Sequence, residues 1–135
     1  MPAPEVIALE SNGSLKFGGY STAEKIKSND FDVGGDIYKV KTHSEITRAE
    51  KNGKLLFESI PGTSVNKFIL SEKQCAFTIE GFENTQITIE LEPDTEYKLI
   101  IDGTDVGRSK SNRSSKFSFS VDLHDAPKDI VIERI

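Results

Sequence analysis

The chain of 135 residues has no tryptophan, one cysteine, one methionine and two histidines. The lone Cys75 excludes an intrachain disulfide, and its alternation with Phe77 and Ile79 predicts a buried core residue. A reactive thiol would need a nearby base, and neither His43 nor His124 is close in sequence. Zinc-ligand spacing, a Cys-x-x-Cys pair, a nucleophile elbow and a phosphate-cradling glycine loop are also absent. These absences argue against an enzyme, and no cofactor is expected.

The chain also lacks an excess of positive charge and any long hydrophobic run. Its net charge is −5, with 17 basic residues spread among 22 acidic ones. Nucleic acid is therefore disfavoured as a partner, because phosphate binding needs a positive field. No run approaches the roughly 20 apolar residues that span a membrane, so no membrane partner is expected. The first residues do not resemble a signal peptide, which predicts a cytoplasmic protein, or an extracellular one if a signal was removed.

Short runs in which apolar and polar residues alternate occur along most of the sequence. Together with frequent turn signals, they predict one all-β domain over residues 1–135, an antiparallel β-sandwich of two packed sheets with about ten short strands. Asn-Gly at positions 12–13 and 52–53 is a strong hairpin signal, because both residues tolerate positive φ. The expected strands are 5–10, 14–17, 36–42, 54–60, 64–70, 74–82, 85–91, 96–102, 116–123 and 128–135.

Two segments leave an alternative open. Residues 42–53 favour a strand that leads into the Asn52-Gly53 hairpin, but a capping-box spacing also fits a short helix. Residues 21–26 could form one helical turn. Residues 107–116 contain no apolar side chain and predict a mobile loop tip.

An acidic turn is the one candidate metal site. Asp30, Asp32 and Asp36 surround Gly34 and Gly35, and carboxylates on a glycine-permitted turn are what Ca²⁺ ligation requires. The glutamate that would complete an EF-hand loop is missing, since Lys41 stands there. A solvated acidic β-turn is therefore the preferred interpretation, with calcium binding as the alternative.

Two further groups are candidate ligand contacts. Arg108, Lys110 and Arg113 cluster in a serine-rich segment and could bind an anion if they converge in space. Tyr20 and Tyr38 are candidate stacking surfaces for a sugar, because carbohydrate sites on β-sandwiches use exposed aromatic rings.

The stretch "LEPDTEYKLII", residues 91–101, resembles the turn between late strands of fibronectin type III-like domains. Leu91, Pro93, Thr95 and Tyr97 match the pattern Leu-x-Pro-x-Thr-x-Tyr. The resemblance implies that Leu91 closes the core at a strand end. It also implies a buried Tyr97 ring whose hydroxyl bonds nearby backbone, as in a tyrosine corner.

The whole chain resembles small proteins of Gram-positive anaerobes, some of which carry the label endosialidase. The resemblance rests on "ESIPGTSV" (58–65), "LEPDTEYK" (91–98) and "KFSFSVDL" (116–123). A sialic-acid hydrolase would hold the substrate carboxylate with several arginines, and this chain has arginine only at positions 48, 108, 113 and 134.

These observations favour a non-catalytic binding or assembly module that acts through β-sheet surfaces or edges. Its expected partner is another protein chain or a second copy of itself. The alternative is a carbohydrate-binding or glycan-processing accessory domain with a glycan partner, and a hydrolase ranks third.

Overall fold

The structure is a computed structural model and describes residues 7–10, 13–20, 25–124 and 126–135. Within these ranges the chain forms thirteen β-strands and no helix. The strands are β1 (Ile7–Leu9), β2 (Leu15–Gly18), β3 (Ile26–Val33), β4 (Asp36–His43), β5 (Ile46–Lys51), β6 (Lys54–Ile60), β7 (Ser64–Leu70), β8 (Gln74–Glu80), β9 (Asn84–Glu90), β10 (Glu96–Ile101), β11 (Thr104–Lys110), β12 (Lys116–Asp122) and β13 (Lys128–Arg134).

Two antiparallel sheets pack on a shared core, which confirms the predicted β-sandwich. Sheet A has seven strands in the order β1-β2-β7-β8-β13-β10-β11. Sheet B has six strands in the order β12-β9-β6-β5-β4-β3. The edge strands are therefore β1 and β11 in sheet A, and β12 and β3 in sheet B.

The structure has two strands that the sequence pattern did not predict, β3 and β11. In β3 the alternation is broken, because a register shift lies between Ser28 and Phe31. The prediction of a loop over residues 107–116 is wrong for residues 107–110, because β11 continues to Lys110. Backbone pairing with β10 holds β11 in place. Because β11 buries no apolar side chains, its sequence lacks the alternating pattern that predicts a strand.

The segment over residues 42–53 is strand, as preferred, and not helix. A tight turn at Ser44 and Glu45 separates β4 from β5, and β5 then leads into the Asn52-Gly53 turn. Asn52 and Gly53 have φ of 51° and 81°, which is the conformation of a type I′ hairpin turn. Most of the stretch 21–26, where one helical turn was expected, lies outside the described residues.

Phenylalanines from both sheets form the centre of the core. Phe57 of sheet B contacts Phe17 and Phe77 of sheet A edge-to-face, with ring centroids 5.3 Å and 5.7 Å apart. All three rings are buried, and full burial of such a side chain stabilises the fold by about 1.5–3 kcal/mol. Cys75 joins this core, as predicted, with 1% of its surface exposed.

The connection between β9 and β10 has the geometry expected at Tyr97. The Tyr97 ring is buried, and its hydroxyl oxygen accepts a hydrogen bond from the Glu92 backbone N–H at 3.1 Å. Leu91 packs against the core at the end of β9. The expectations for these two side chains are therefore confirmed.

Candidate functional site

β11 is an edge strand that is exposed along its whole length. It pairs with β10 on one side only, and all seven of its residues are exposed. Asp102 and Gly103, with φ of 51° and 80°, make the turn that returns the chain from β10. A register shift at Val106 interrupts the pairing with β10, and there the Gly107 N–H donates to Asp105 Oδ1 at 2.9 Å. The outer side of β11 has no neighbouring strand, which is how a sheet edge accepts an added strand.

The outer face of this edge carries the positive charge. Tyr97 and Leu99 of β10 pack toward the core, so the alternation turns Lys98 to the outer face of sheet A. Arg108 is paired directly opposite Lys98, and Lys110 lies opposite Glu96. We call Lys98, Arg108 and Lys110 the basic edge.

Like charges face each other within the basic edge. Lys98 and Arg108 are cross-strand partners, and directly opposed like charges are destabilising. Across the described ranges, the ion pairs within 4 Å involve Arg48, Lys51, Lys116 and Lys128, and none involves the basic edge. A negatively charged group placed beside Arg108 would relieve this repulsion.

The inner face of β11 is made of small residues. Gly107 and Ser109 are paired with Leu99 and Tyr97, which point toward the core. A Cβ atom built on Gly107 would meet no atom within 4 Å. The space beside Gly107 could therefore admit an apolar side chain from an added strand.

Arg113 lies beyond the strand and outside the basic edge. It is exposed in the turn between β11 and β12, where Asn112 Oδ1 accepts hydrogen bonds from the Ser114 and Lys116 backbone N–H groups. The predicted group is thus divided: Arg108 and Lys110 share one face of one strand, and Arg113 belongs to the next turn.

The three predicted calcium ligands have separate surroundings. Asp32 Oδ1 accepts a hydrogen bond from the Gly35 backbone N–H at 3.0 Å, and Asp36 Oδ1 accepts one from Asn52 Nδ2 at 3.0 Å. Asp30 sits in the bulge of β3 with φ of 59°. No group of three potential metal-ligating side chains occurs in the described part of the chain, these aspartates included. The calcium alternative finds no geometric support here.

β3 forms the acidic counterpart of the basic edge. It is the outermost strand of sheet B, and Phe31 packs inward against the core opposite buried Tyr38. Asp32 therefore points to the outer face, and both Asp30 and Asp32 are exposed. We call Asp30 and Asp32 the acidic edge.

The two predicted aromatic contacts lie apart from each other. Tyr38 is part of the core and is 8% exposed. Tyr20 meets Phe82 edge-to-face with ring centroids 4.6 Å apart, and Phe82 is 59% exposed. Burial and, to a smaller extent, the nearby Glu80 carboxylate raise the pKa of Tyr20 above its ordinary value. The contact between these two rings was not predicted, and Tyr20 lines a cavity of about 180 Å³.

A wider cleft opens at the opposite end of strand β8. It has a volume of about 580 Å³, and Cys75 and Tyr97 lie among its lining residues. Its charged lining residues include Lys51, Lys54 and Glu90. Burial raises the pKa of the Cys75 thiol to about 12, so the thiol stays protonated near neutral pH and is a poor nucleophile.

Protein-family models, curated proteins and solved structures were compared with the chain, and none of the three comparisons finds a match. Within the described ranges, no helix has the length and apolar character needed to cross a membrane.

Proposed function

We propose that the protein is a non-catalytic binding module that accepts an extended polypeptide segment at the β11 edge. The observation that carries this proposal is a seven-residue edge strand with every residue exposed and one side unpaired. Main-chain hydrogen bonds would supply the affinity, and side chains on alternate positions would supply the specificity.

The basic edge defines the chemistry of the preferred segment. An acidic side chain opposite Arg108 would extend the row Glu133–Lys98–Arg108, in which Lys98 lies between Glu133 of β13 and Arg108 of β11. A second acidic side chain two positions along the segment would meet Lys110. The neighbouring position, opposite Gly107, has room for an apolar side chain.

Two of the other edge strands, β1 and β12, fit this role less well. β1 has three residues. β12 buries Phe117 and Val121, and its Lys116 already forms a hydrogen-bonded ion pair with Glu90 at 2.9 Å.

A peptide selection tests the proposal. A displayed library of random peptides is panned on the protein, and the selected peptides are measured by fluorescence anisotropy and by ¹⁵N chemical-shift mapping. We expect acids at alternate positions, shifts confined to β10 and β11, and lost affinity in Arg108→Glu/Lys110→Glu. Lys16→Glu, which reverses an exposed charge on β2 of the same sheet, is the matched control. Peptides that bind elsewhere, or bind the double variant equally well, would refute the proposal.

A carbohydrate-binding role is the second candidate, and the Tyr20–Phe82 pair favours it. Phe82 offers an exposed ring. The cavity beside its partner Tyr20 is lined by Glu80 and His124, which can hydrogen-bond sugar hydroxyls. Binding to a glycan array that disappears in Phe82→Ala and persists in Ile60→Ala, another exposed apolar residue, would support it. An array without hits would argue against it.

A further inference from the structure

Opposite charges occupy two edge strands of this molecule. The basic edge lies on β11, the last strand of sheet A, and the acidic edge lies on β3, the last strand of sheet B. Each edge has one unpaired side and an exposed outer face. We propose that β3 of one copy adds to β11 of a second copy, so that the chain assembles head to tail. This inference rests on the proposed function and names a second copy of the chain as the partner.

Side-chain register supports this pairing. An antiparallel alignment that places Asp32 opposite Arg108 also places Val33 opposite Gly107 and Phe31 opposite Ser109. Phe31 and Val33 both pack against the core of their own copy. The partly buried residues of β3 thus meet the inner face of β11, and Asp32 meets its outer face, because directly paired residues share a face. Asp30, in its bulge, then lies across from Lys110.

Charge complementarity supports this combination. In this alignment Arg108 and Lys110 of one copy lie against Asp32 and Asp30 of the next copy. Asp105 on β11 and Lys27 on β3 carry the minority charge of each strand and lie outside this paired stretch.

The shape of sheet A leaves space for the second copy. Both faces of β11 are exposed, so β11 projects past sheet B and is not covered by it. A β3 strand added there would not need to displace any described element. Because the two surfaces differ, the contact is heterologous and can repeat from copy to copy.

Light scattering on the full chain tests this assembly. At low salt, we expect the weight-average mass to rise with concentration above the mass of one chain. The mass should fall back as salt is raised, since the screening length shrinks from about 10 Å at 0.1 M to about 3 Å at 1 M. A mass that stays at one chain up to the solubility limit would refute the inference.

Charge-swap variants identify the contact. Arg108→Glu alone and Asp32→Lys alone should each remain monomeric, because each places like charges together. An equimolar mixture of the two, and the double variant Arg108→Glu/Asp32→Lys, should assemble again. Lys16→Glu and Glu45→Lys, both exposed and away from these edges, should behave like the unmodified chain. Circular dichroism and melting curves confirm that each variant is folded.

The outcomes separate the two proposals. Assembly that Asp32→Lys leaves unchanged would refute the β3 contact in favour of a different self-contact. Selected peptides that bind β11 in a chain that stays monomeric would refute the self-contact and leave the strand-accepting function intact. Absence of both peptide binding and assembly would refute both.

Discussion

At the scale of single residues, Tyr97 shows how one hydroxyl can organise a connection between sheets. Its ring packs edge-to-face on Phe117 of sheet B, with centroids 5.6 Å apart. Its hydroxyl meanwhile fixes the backbone at Glu92, where the chain passes from β9 to β10. Ser111 secures the same connection from the other side, donating its hydroxyl to the Glu92 carbonyl and accepting from the Thr95 N–H.

Replacing Tyr97 with phenylalanine removes the hydroxyl and keeps the ring. We expect the free energy of unfolding to fall by about 1 kcal/mol, the net value of a typical hydrogen bond, with more if the Glu92 N–H is left without a partner. Denaturant titration measures the change. Tyr38→Phe is the matched control, because within the described ranges no hydrogen bond involves that hydroxyl. Equal midpoints for Tyr97→Phe and the unmodified chain would show that the bond contributes nothing.

At the scale of elements, short turns set the register of sheet B. Asn52 occupies positive φ in the β5–β6 turn, and its side chain also reaches β4. Its Oδ1 accepts from the Ile37 backbone N–H at 2.9 Å, and its backbone N–H donates to the Ile37 carbonyl at 2.8 Å. One turn residue therefore ties together three neighbouring strands.

Replacing Asn52 with alanine should destabilise the protein by about 1–3 kcal/mol. Alanine loses the side-chain hydrogen bonds and is less tolerant of positive φ than asparagine. Lys54→Ala, at an exposed position just after the same turn, should stay within about 0.5 kcal/mol of the unmodified chain. Thermal melts of both variants provide the comparison, and similar melting temperatures would contradict this role for Asn52.

The strands that could be predicted from the sequence are those in which buried apolar residues alternate with exposed polar ones. Phe117 and Val121 alternate with exposed serines, so β12 is visible as a period of two. β11 buries nothing, so its sequence carries no such period. Whether Lys98 belongs to the basic edge depends on which residue of β10 is paired with Arg108. The register between two strands cannot be deduced from the sequence of either strand alone. Arg108 and Lys110 were therefore identifiable as candidates, whereas Lys98 was not.

At the scale of the whole molecule, distant parts of the chain must meet before the sheets are complete. In sheet A, β2 pairs with β7, and β8 pairs with β13. In sheet B, β6 pairs with β9, and β9 pairs with β12. These are non-local pairings, which close long loops of chain at an entropic cost.

We expect the protein to refold slowly for its size. All-β sandwiches dominated by non-local pairing fold in about milliseconds to seconds. Stopped-flow dilution from denaturant, followed by tyrosine fluorescence because tryptophan is absent, measures the main phase. A main phase in microseconds would show that local hairpins, not the pairings between distant strands, limit folding.

The exposure of β11 has a consequence for the motions of the protein. Because β11 buries none of its residues, backbone hydrogen bonds to β10 hold it, and we expect it to open without unfolding of the core. Opening free energies within one protein range from near zero to the global value, and we expect the value for β11 to lie near the lower limit. Its amide protons should exchange with solvent ahead of the rest of sheet A. When β11 opens, β10 becomes the edge strand of sheet A, and it carries the partly buried Leu99 and Ile101. Local opening of β11 would thus expose the edge of the more apolar strand β10.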